Sequence, residues 1–233
     1  QNIIPTVVAG HSLGEYSALV VNKTISFEDG LNLVLNRALI AQKVCDEQKT
    51  AMGAIIGLSD LYIEKRIQEI TNETSEPIYF ANYNGPGQVV ITGSKKGIRL
   101  ACKAFKAEGA KKAVPLPIGG SFHSPYMQEA ELELGMIIER VKFNSPKFPI
   151  VQCVDGQPHS NVEDIKRNLI KHITHPVLWT QMVDSMEKMG IQEYCEVGPD
   201  DTLQKITARM CPEKIISSLL QKKVYNSITY NPK

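Results

Sequence analysis

The sequence predicts an α/β fold in which a smaller unit interrupts a larger core. Three observations carry this. Residues 7–20, VVAGHSLGEYSALV, join a short apolar run to a helical pattern through a glycine-bounded turn. Residues 52 to 118 then alternate strand-like and helix-like segments. Beyond residue 119 the α/β character resumes.

The elements follow in order. Thr6-Val7-Val8-Ala9 reads as a buried parallel strand, and Leu13 onward has helical spacing. A second helix is expected from Glu28 to about Cys45, opened by Ser26 and Asp29 as a capping box with Asp in place of Glu. MGAIIGL is strand-like and DLYIEKRIQEITN helical. IYFANYNGPGQVVITG reads as two strands around Asn84-Gly85-Pro86-Gly87. A basic helix from Lys95 to Lys112 and the strand VPLPI complete β-α-β-β-α-β, the ferredoxin-like plan. A helix over Gln128 to Arg140, the strand FPIVQCV, helices over Val162 to Ile173 and Trp179 to Met189, and the strand EYCEVGP belong to the larger core. The expected division is therefore 1–50 with 119–233 for the core and 51–118 for the inserted unit. The polar tail KKVYNSITYNPK reads as peripheral.

Composition narrows the function. The 233 residues are 42% hydrophobic and 22% charged, with net charge +1. That suits an enzyme-sized globular chain and gives no global nucleic-acid signature. No apolar run approaches the roughly 20 residues of a membrane span, and no signal peptide is visible. Cys45, Cys102, Cys153, Cys195 and Cys211 are odd in number and far apart. They read as reduced thiols of a cytoplasmic protein without the usual zinc spacings, so no metal or other cofactor is expected. The triplets at Asn22 and Asn72 read as chance matches to the glycosylation signal.

Gly10-His11-Ser12-Leu13-Gly14 fits the nucleophile elbow G-x-S-x-G. Its tight turn strains the serine backbone and wants glycine on both sides. The hydroxyl then stands at a helix N-terminus, where the Leu13 N–H can meet a developing oxyanion. The competing reading is a capping serine in a glycine-bounded turn. A serine nucleophile needs a base. His11 sits inside the elbow, directed off the serine's face, His159 lies in a turn, and His172 and His175 precede Pro176. His123, in IGGSFHSPYM, follows the inserted unit, where glycines permit close approach to a cleft. It is the candidate base, against the reading of a hydrogen-bonded loop histidine. Arg37 shares a helix face with Leu33, Ile40 and Val44. It is either a snorkelling side chain or a bidentate clamp for a carboxylate.

Taken together, GHSLGEYSAL, an arginine twenty-five residues after the serine, NYNGPGQVVITG, GAKKAVPLPIGGSFHSPYM, HPVLW and EVGP resemble the malonyl-CoA:acyl carrier protein transacylases and their polyketide synthase relatives. The resemblance runs from residue 5 to about residue 210. It implies an α/β hydrolase-like core with an inserted ferredoxin-like subdomain. It implies Ser12 as acylated nucleophile, His123 as base, the Leu13 N–H as oxyanion donor and Arg37 as carboxylate clamp. Asn84, Phe122 and His11 complete the implied substrate-binding set, Phe122 leaving no room for an α-methyl group. The main-chain carbonyl of His172, where relatives often carry glutamine, would orient the base. The implied partners are malonyl-CoA and acyl carrier protein, with no membrane or nucleic acid; the oligomeric state is not legible.

Asp200 and Asp201 replace a glycine-rich stretch of the family. Relatives also carry a segment before the elbow with a second oxyanion donor, so these 233 residues alone are expected to be poorly active and prone to associate. A non-catalytic scaffold and a serine hydrolase are the alternatives. The basic helix, with Lys95, Lys96, Arg99, Lys103, Lys106, Lys111 and Lys112 against Glu108, is either a solvated face or a steering surface for an acidic carrier protein.

Overall fold

A computed structural model describes residues 4–219. The polar tail lies outside the described residues. The chain falls into two compact units, Gln1–Ser185 and Met186–Lys233.

In the first unit, β1 (Val8–Ala9) enters the elbow, followed by α1 (Gly14–Val21) and α2 (Phe27–Glu47). Then come β2 (Thr50–Ile56), α3 (Asp60–Thr74), β3 (Ile78–Gly85), β4 (Gln88–Ser94), α4 (Lys95–Ala107) and β5 (Lys112–Pro115). A short 3-10 turn at Pro125–Met127 leads into α5 (Gln128–Arg140), β6 (Ile150–Val151), β7 (Pro158–His159), α6 (Val162–Lys171) and α7 (Trp179–Lys188), whose last residues, from Met186, fall in the second unit.

Two sheets organise this unit. β1 pairs in parallel with β6, which pairs antiparallel with β7. The helices α1, α2, α5 and α6 close over this small sheet around Tyr16, Leu19, Leu33, Leu134, Ile138, Ile150 and Leu169, all buried. The second sheet is antiparallel in the order β3-β4-β2-β5. Its core joins Ile55, Phe80 and Ile91 of the sheet to Ile63, Ile67 and Ile70 of α3 and Ile98 and Phe105 of α4. The spacing of those residues, two along strands and three to four along helices, is what lets each element bury a single face.

Several expected boundaries move. The elbow strand is two residues long and only half-buried, because it lies at the edge of its sheet. FPIVQCV forms strand only at Ile150–Val151, and Gln152 and Cys153 turn away. The hairpin turn is confined to Pro86-Gly87, so Asn84 and Gly85 belong to β3. The basic helix ends at Ala107, Gly109 adopts φ +94° beyond it, and Lys112 opens β5. Ser26 caps α2 as anticipated, accepting the Asp29 N–H at 2.9 Å and donating its hydroxyl to the Asp29 carboxylate at 2.7 Å. On α2, Leu33, Arg37, Ala41 and Val44 are buried, and the opposite face exposes Phe27, Leu31, Leu35 and Leu39.

In the second unit β8 (Glu193–Glu196) and β9 (Ile215–Ser218) pair in parallel, with α8 (Thr202–Met210) between them in sequence. Glu196 caps α8 from a distance, its carboxylate accepting the Leu203 and Gln204 N–H groups at 3.2 and 2.9 Å. Asp201 sits at the N-cap and pairs with Lys205 one turn on, at 2.7 Å. A negative charge is favourable at that helix end, which accounts for an acid there. Among the described residues no helix is long and apolar enough to cross a membrane.

Candidate functional site

The site is built on the elbow. Ser12 adopts φ +51°, in the left-handed region that a non-glycine residue enters only under constraint. The constraint is visible at Gly10, where a Cβ would lie 2.1 Å from the Gly14 carbonyl carbon and 2.3 Å from the Glu15 nitrogen. Only glycine fits there. Gly14 differs from the expectation of two obligatory glycines, since a Cβ at that position meets nothing within 4 Å. The N–H groups of Gly14, Glu15 and Tyr16 close the first turn onto the carbonyls of His11, Ser12 and Leu13.

Glu15 holds the elbow to the sheet. It is fully buried, and its carboxylate accepts the Cys153 N–H at 2.9 Å and the Gln152 amide at 3.0 Å. Burial pushes its carboxyl above the usual range. Sequence reasoning passed over this residue, because an acid in the first turn of a helix reads as a partner of the helix dipole.

The histidine arrives from the other side of the chain. Gly120 packs against Cys45, where a Cβ would meet the sulfur at 2.0 Å, so the close approach expected of this loop is real. Ser121 is buried against Thr92 of β4, their hydroxyls 2.6 Å apart, and its carbonyl accepts the Ser124 hydroxyl at 2.6 Å. His123 then adopts φ +60°, a second strained residue that no glycine pattern announced. Its N–H bonds to the Ile173 carbonyl at 2.9 Å.

His123 Nε2 lies 2.8 Å from Ser12 Oγ. Its Nδ1 lies 3.0 Å from the His172 carbonyl and 3.1 Å from the His175 carbonyl. Carbonyls only accept, so Nδ1 carries the proton and Nε2 is left to accept from the serine. The expected backbone contact from His172 is present, and His175 adds one that was not foreseen. Burial first, and then the Arg37 charge, depress the His123 pKa to about 3. The imidazole is therefore neutral at physiological pH.

Arg37 Nη2 lies 3.3 Å from Ser12 Oγ, and its guanidinium carbon stands 5.6 Å from the Phe122 ring centroid. Arg37 is only 8% exposed, and its Nε is buried with no partner. It forms no ion pair among the described residues. A buried cation of this kind is costly without an anionic partner, and the snorkelling alternative does not describe it. Phe122 packs between the Ala41, Val44, Cys45 cluster and the Met52, Val90 cluster, holding one wall beside the guanidinium.

His11 points off the serine, as expected, and meets Asn84, Nε2 to Oδ1 at 2.8 Å. Its ring also approaches Trp179, centroids 5.6 Å apart. The tip of β3 is tied to the loop after α6 by Val177 N–H to Ala81 carbonyl at 2.8 Å and Tyr83 N–H to Val177 carbonyl at 2.9 Å. The same loop thus places both Asn84 and the carbonyls that face His123. Ser12, His123, Arg37 and Phe122 meet at one point, with His11 and Asn84 beside them. The Leu13 side chain is 46% exposed. A hydroxyl with a neutral acceptor, a cation and a helix N-terminus at one atom can form and hold an ester carrying an anionic group.

Comparison with known proteins places the chain among relatives. The acyl transferase domain family matches residues 3–221. A malonyl CoA-acyl carrier protein transacylase of Escherichia coli is 39% identical over 216 residues, covering 92% of this chain and 69% of that protein. The solved structure of a malonyl CoA-acyl carrier protein transacylase from Coxiella burnetii superposes with a TM-score of 0.89 at 35% identity, covering 93% of this chain and 68% of that one. A malonyl-transacylase solved in complex with a type II PKS acyl-carrier protein gives a TM-score of 0.87 at 35% identity, over 93% and 69% of the two chains. On these matches the chain belongs to the acyl transferase domain family, as a relative of the malonyl CoA-acyl carrier protein transacylases.

Proposed function

We propose that this protein transfers the malonyl group of malonyl-CoA to the phosphopantetheine thiol of acyl carrier protein, through a malonyl ester on Ser12, in fatty acid biosynthesis. The observation that carries the reading is the double contact at Ser12 Oγ, with a neutral His123 Nε2 at 2.8 Å and a buried Arg37 nitrogen at 3.3 Å. His123 takes the serine proton as Oγ attacks the thioester carbonyl. The Leu13 N–H meets the oxyanion. The proton passes to the departing CoA sulfur, and the malonyl ester remains with its carboxylate on Arg37. The carrier thiol then gives its proton to His123, attacks the ester and regenerates Ser12.

The two carbonyls that orient His123 support transfer over a serine hydrolase in which a carboxylate would do that work. The aligned serine and histidine support turnover over a scaffold role. Asn84 and His11 line the mouth of the site and Phe122 shapes its wall against α-branched acyl groups. We place the catalytic core, of α/β hydrolase-like kind, in 1–50 with 119–233, and a ferredoxin-like subdomain in 51–118. The strand order β3-β4-β2-β5 with two helices supports the latter. The protein works in the cytoplasm.

Intact mass after mixing with malonyl-CoA tests the reading. A malonyl adduct that carrier-protein thiol removes, and that Ser12→Ala abolishes, is expected. An adduct retained in Ser12→Ala, or CoA release to water alone, overturns it.

A further inference from the structure

We propose that Glu15, Cys153 and His172 form a binding site for a thiophilic divalent cation of the Zn²⁺ class, directly behind the Ser12–His123 pair. The three residues come from the first turn of α1, the turn after β6 and the end of α6. They are 0%, 0% and 1% exposed. One ligand atom of each lies within 4.8 Å of the other two. Three atoms so spaced can be reached from a single point about 2.8 Å away, and zinc bonds to oxygen, nitrogen and sulfur run about 2.0–2.3 Å. Side-chain shifts of less than about 1 Å at each ligand close that difference.

The donor set suits this class of ion. A carboxylate, an imidazole and a thiol together favour zinc over magnesium or calcium, which take oxygen alone. His172 provides an independent observation. Both of its ring nitrogens are buried, and neither has a hydrogen-bond partner. Buried polar groups are normally satisfied, and this one has a ring nitrogen among the Glu15 and Cys153 ligand atoms. Each Glu15 oxygen already accepts one hydrogen bond and keeps a second lone pair.

The charges and protons also close. The Cys153 S–H donates a hydrogen bond to the Gly10 carbonyl at 3.0 Å. On loading, that S–H bond is replaced by a metal–sulfur bond and the proton leaves to solvent. No electron is transferred. One divalent cation, one carboxylate, one thiolate and a neutral imidazole sum to zero, which a buried site tolerates far better than a net charge. The separation of positions 15, 153 and 172 in sequence explains why no metal spacing is visible there.

Cobalt(II) titration of the protein tests the site without reference to activity. One equivalent should give a near-ultraviolet thiolate-to-cobalt charge-transfer band that Zn²⁺ displaces. The band should persist in Cys195→Ser, which removes the exposed thiol, and vanish in Cys153→Ser. His172→Gln retains the main chain at that position and should weaken cobalt binding at least tenfold; it decides the matter should Cys153→Ser fail to fold. A band that survives Cys153→Ser, an affinity unchanged in His172→Gln, or no thiolate band in the unaltered protein overturns the proposal.

Discussion

Replacing Arg37 with alanine separates substrate recognition from scaffold. In the free protein the guanidinium is buried, touches Ser12 Oγ at 3.3 Å, stacks over Phe122 and has no carboxylate partner among the described residues. Its charge is therefore costly without an anion, and in the proposed reaction the malonyl carboxylate is that anion. Losing one member of a buried, hydrogen-bonded charge pair costs about 2–5 kcal/mol. At about 1.4 kcal/mol per decade that is a fall of roughly thirty- to several-thousand-fold in kcat/KM for malonyl-CoA. Acetyl-CoA has no carboxylate, so its transfer should change little or rise. Thermal stability should hold or increase, because the alanine removes an uncompensated buried charge and leaves the Leu33, Ala41 and Val44 face intact. The assay compares the two acyl-CoA substrates on one preparation, with a melting curve beside them. Equal losses for malonyl and acetyl, or a marked loss of stability, would show that Arg37 is structural and refute the reasoning.

His123→Ala should lower transfer on the order of a hundred- to ten-thousand-fold, the usual range for a positioned base, and a loss under about threefold would hand the role to another group. With the native His123 pKa held near 3 against an ordinary 6.5, the unfolded chain binds a proton that the native state refuses as pH falls below about 6.5. Its contribution to stability is therefore full above that pH and is lost on acidification, at about 1.4 kcal/mol per pH unit. Urea unfolding at several pH values should show a shallower acid dependence in His123→Gln than in the unaltered protein; parallel curves would count against a buried neutral imidazole. Gly10→Ala forces a Cβ into the backbone of Gly14 and Glu15 and should destabilise by at least about 1–3 kcal/mol, whereas Gly14→Ala meets open space and should be neutral. Equal melting temperatures for the two variants would refute the elbow argument. Lys103 and Lys106 are exposed on α4, and reversing both to Glu should raise the apparent KM for carrier protein and spare that for malonyl-CoA. Added salt should mimic the change, since exposed charges are screened beyond about 8–10 Å; carrier kinetics insensitive to both would leave α4 a solvated face.

Much of this molecule is legible in one dimension because the relevant physics is local. The elbow is a short-range problem, since a serine at positive φ between a strand and a helix demands glycine at position 10 within a few residues of chain. Helix faces, the Ser26 cap and the β-α-β-β-α-β order follow from period and propensity in the same way. The short strands were overestimated, because apolar character says that Val7 or Phe148 is sheltered but not whether a neighbouring strand pairs with it. The tertiary structure alone decided what long-range closure creates. It set the His123 tautomer through two carbonyls some fifty residues away, and it turned Arg37 from a snorkelling candidate into a buried cation aimed at Ser12. It made Glu15 a buried anchor for Cys153, and it brought His172 beside both. Those properties depend on desolvation and on hydrogen-bond partners from distant segments, and neither is written in the spacing of residues along the chain.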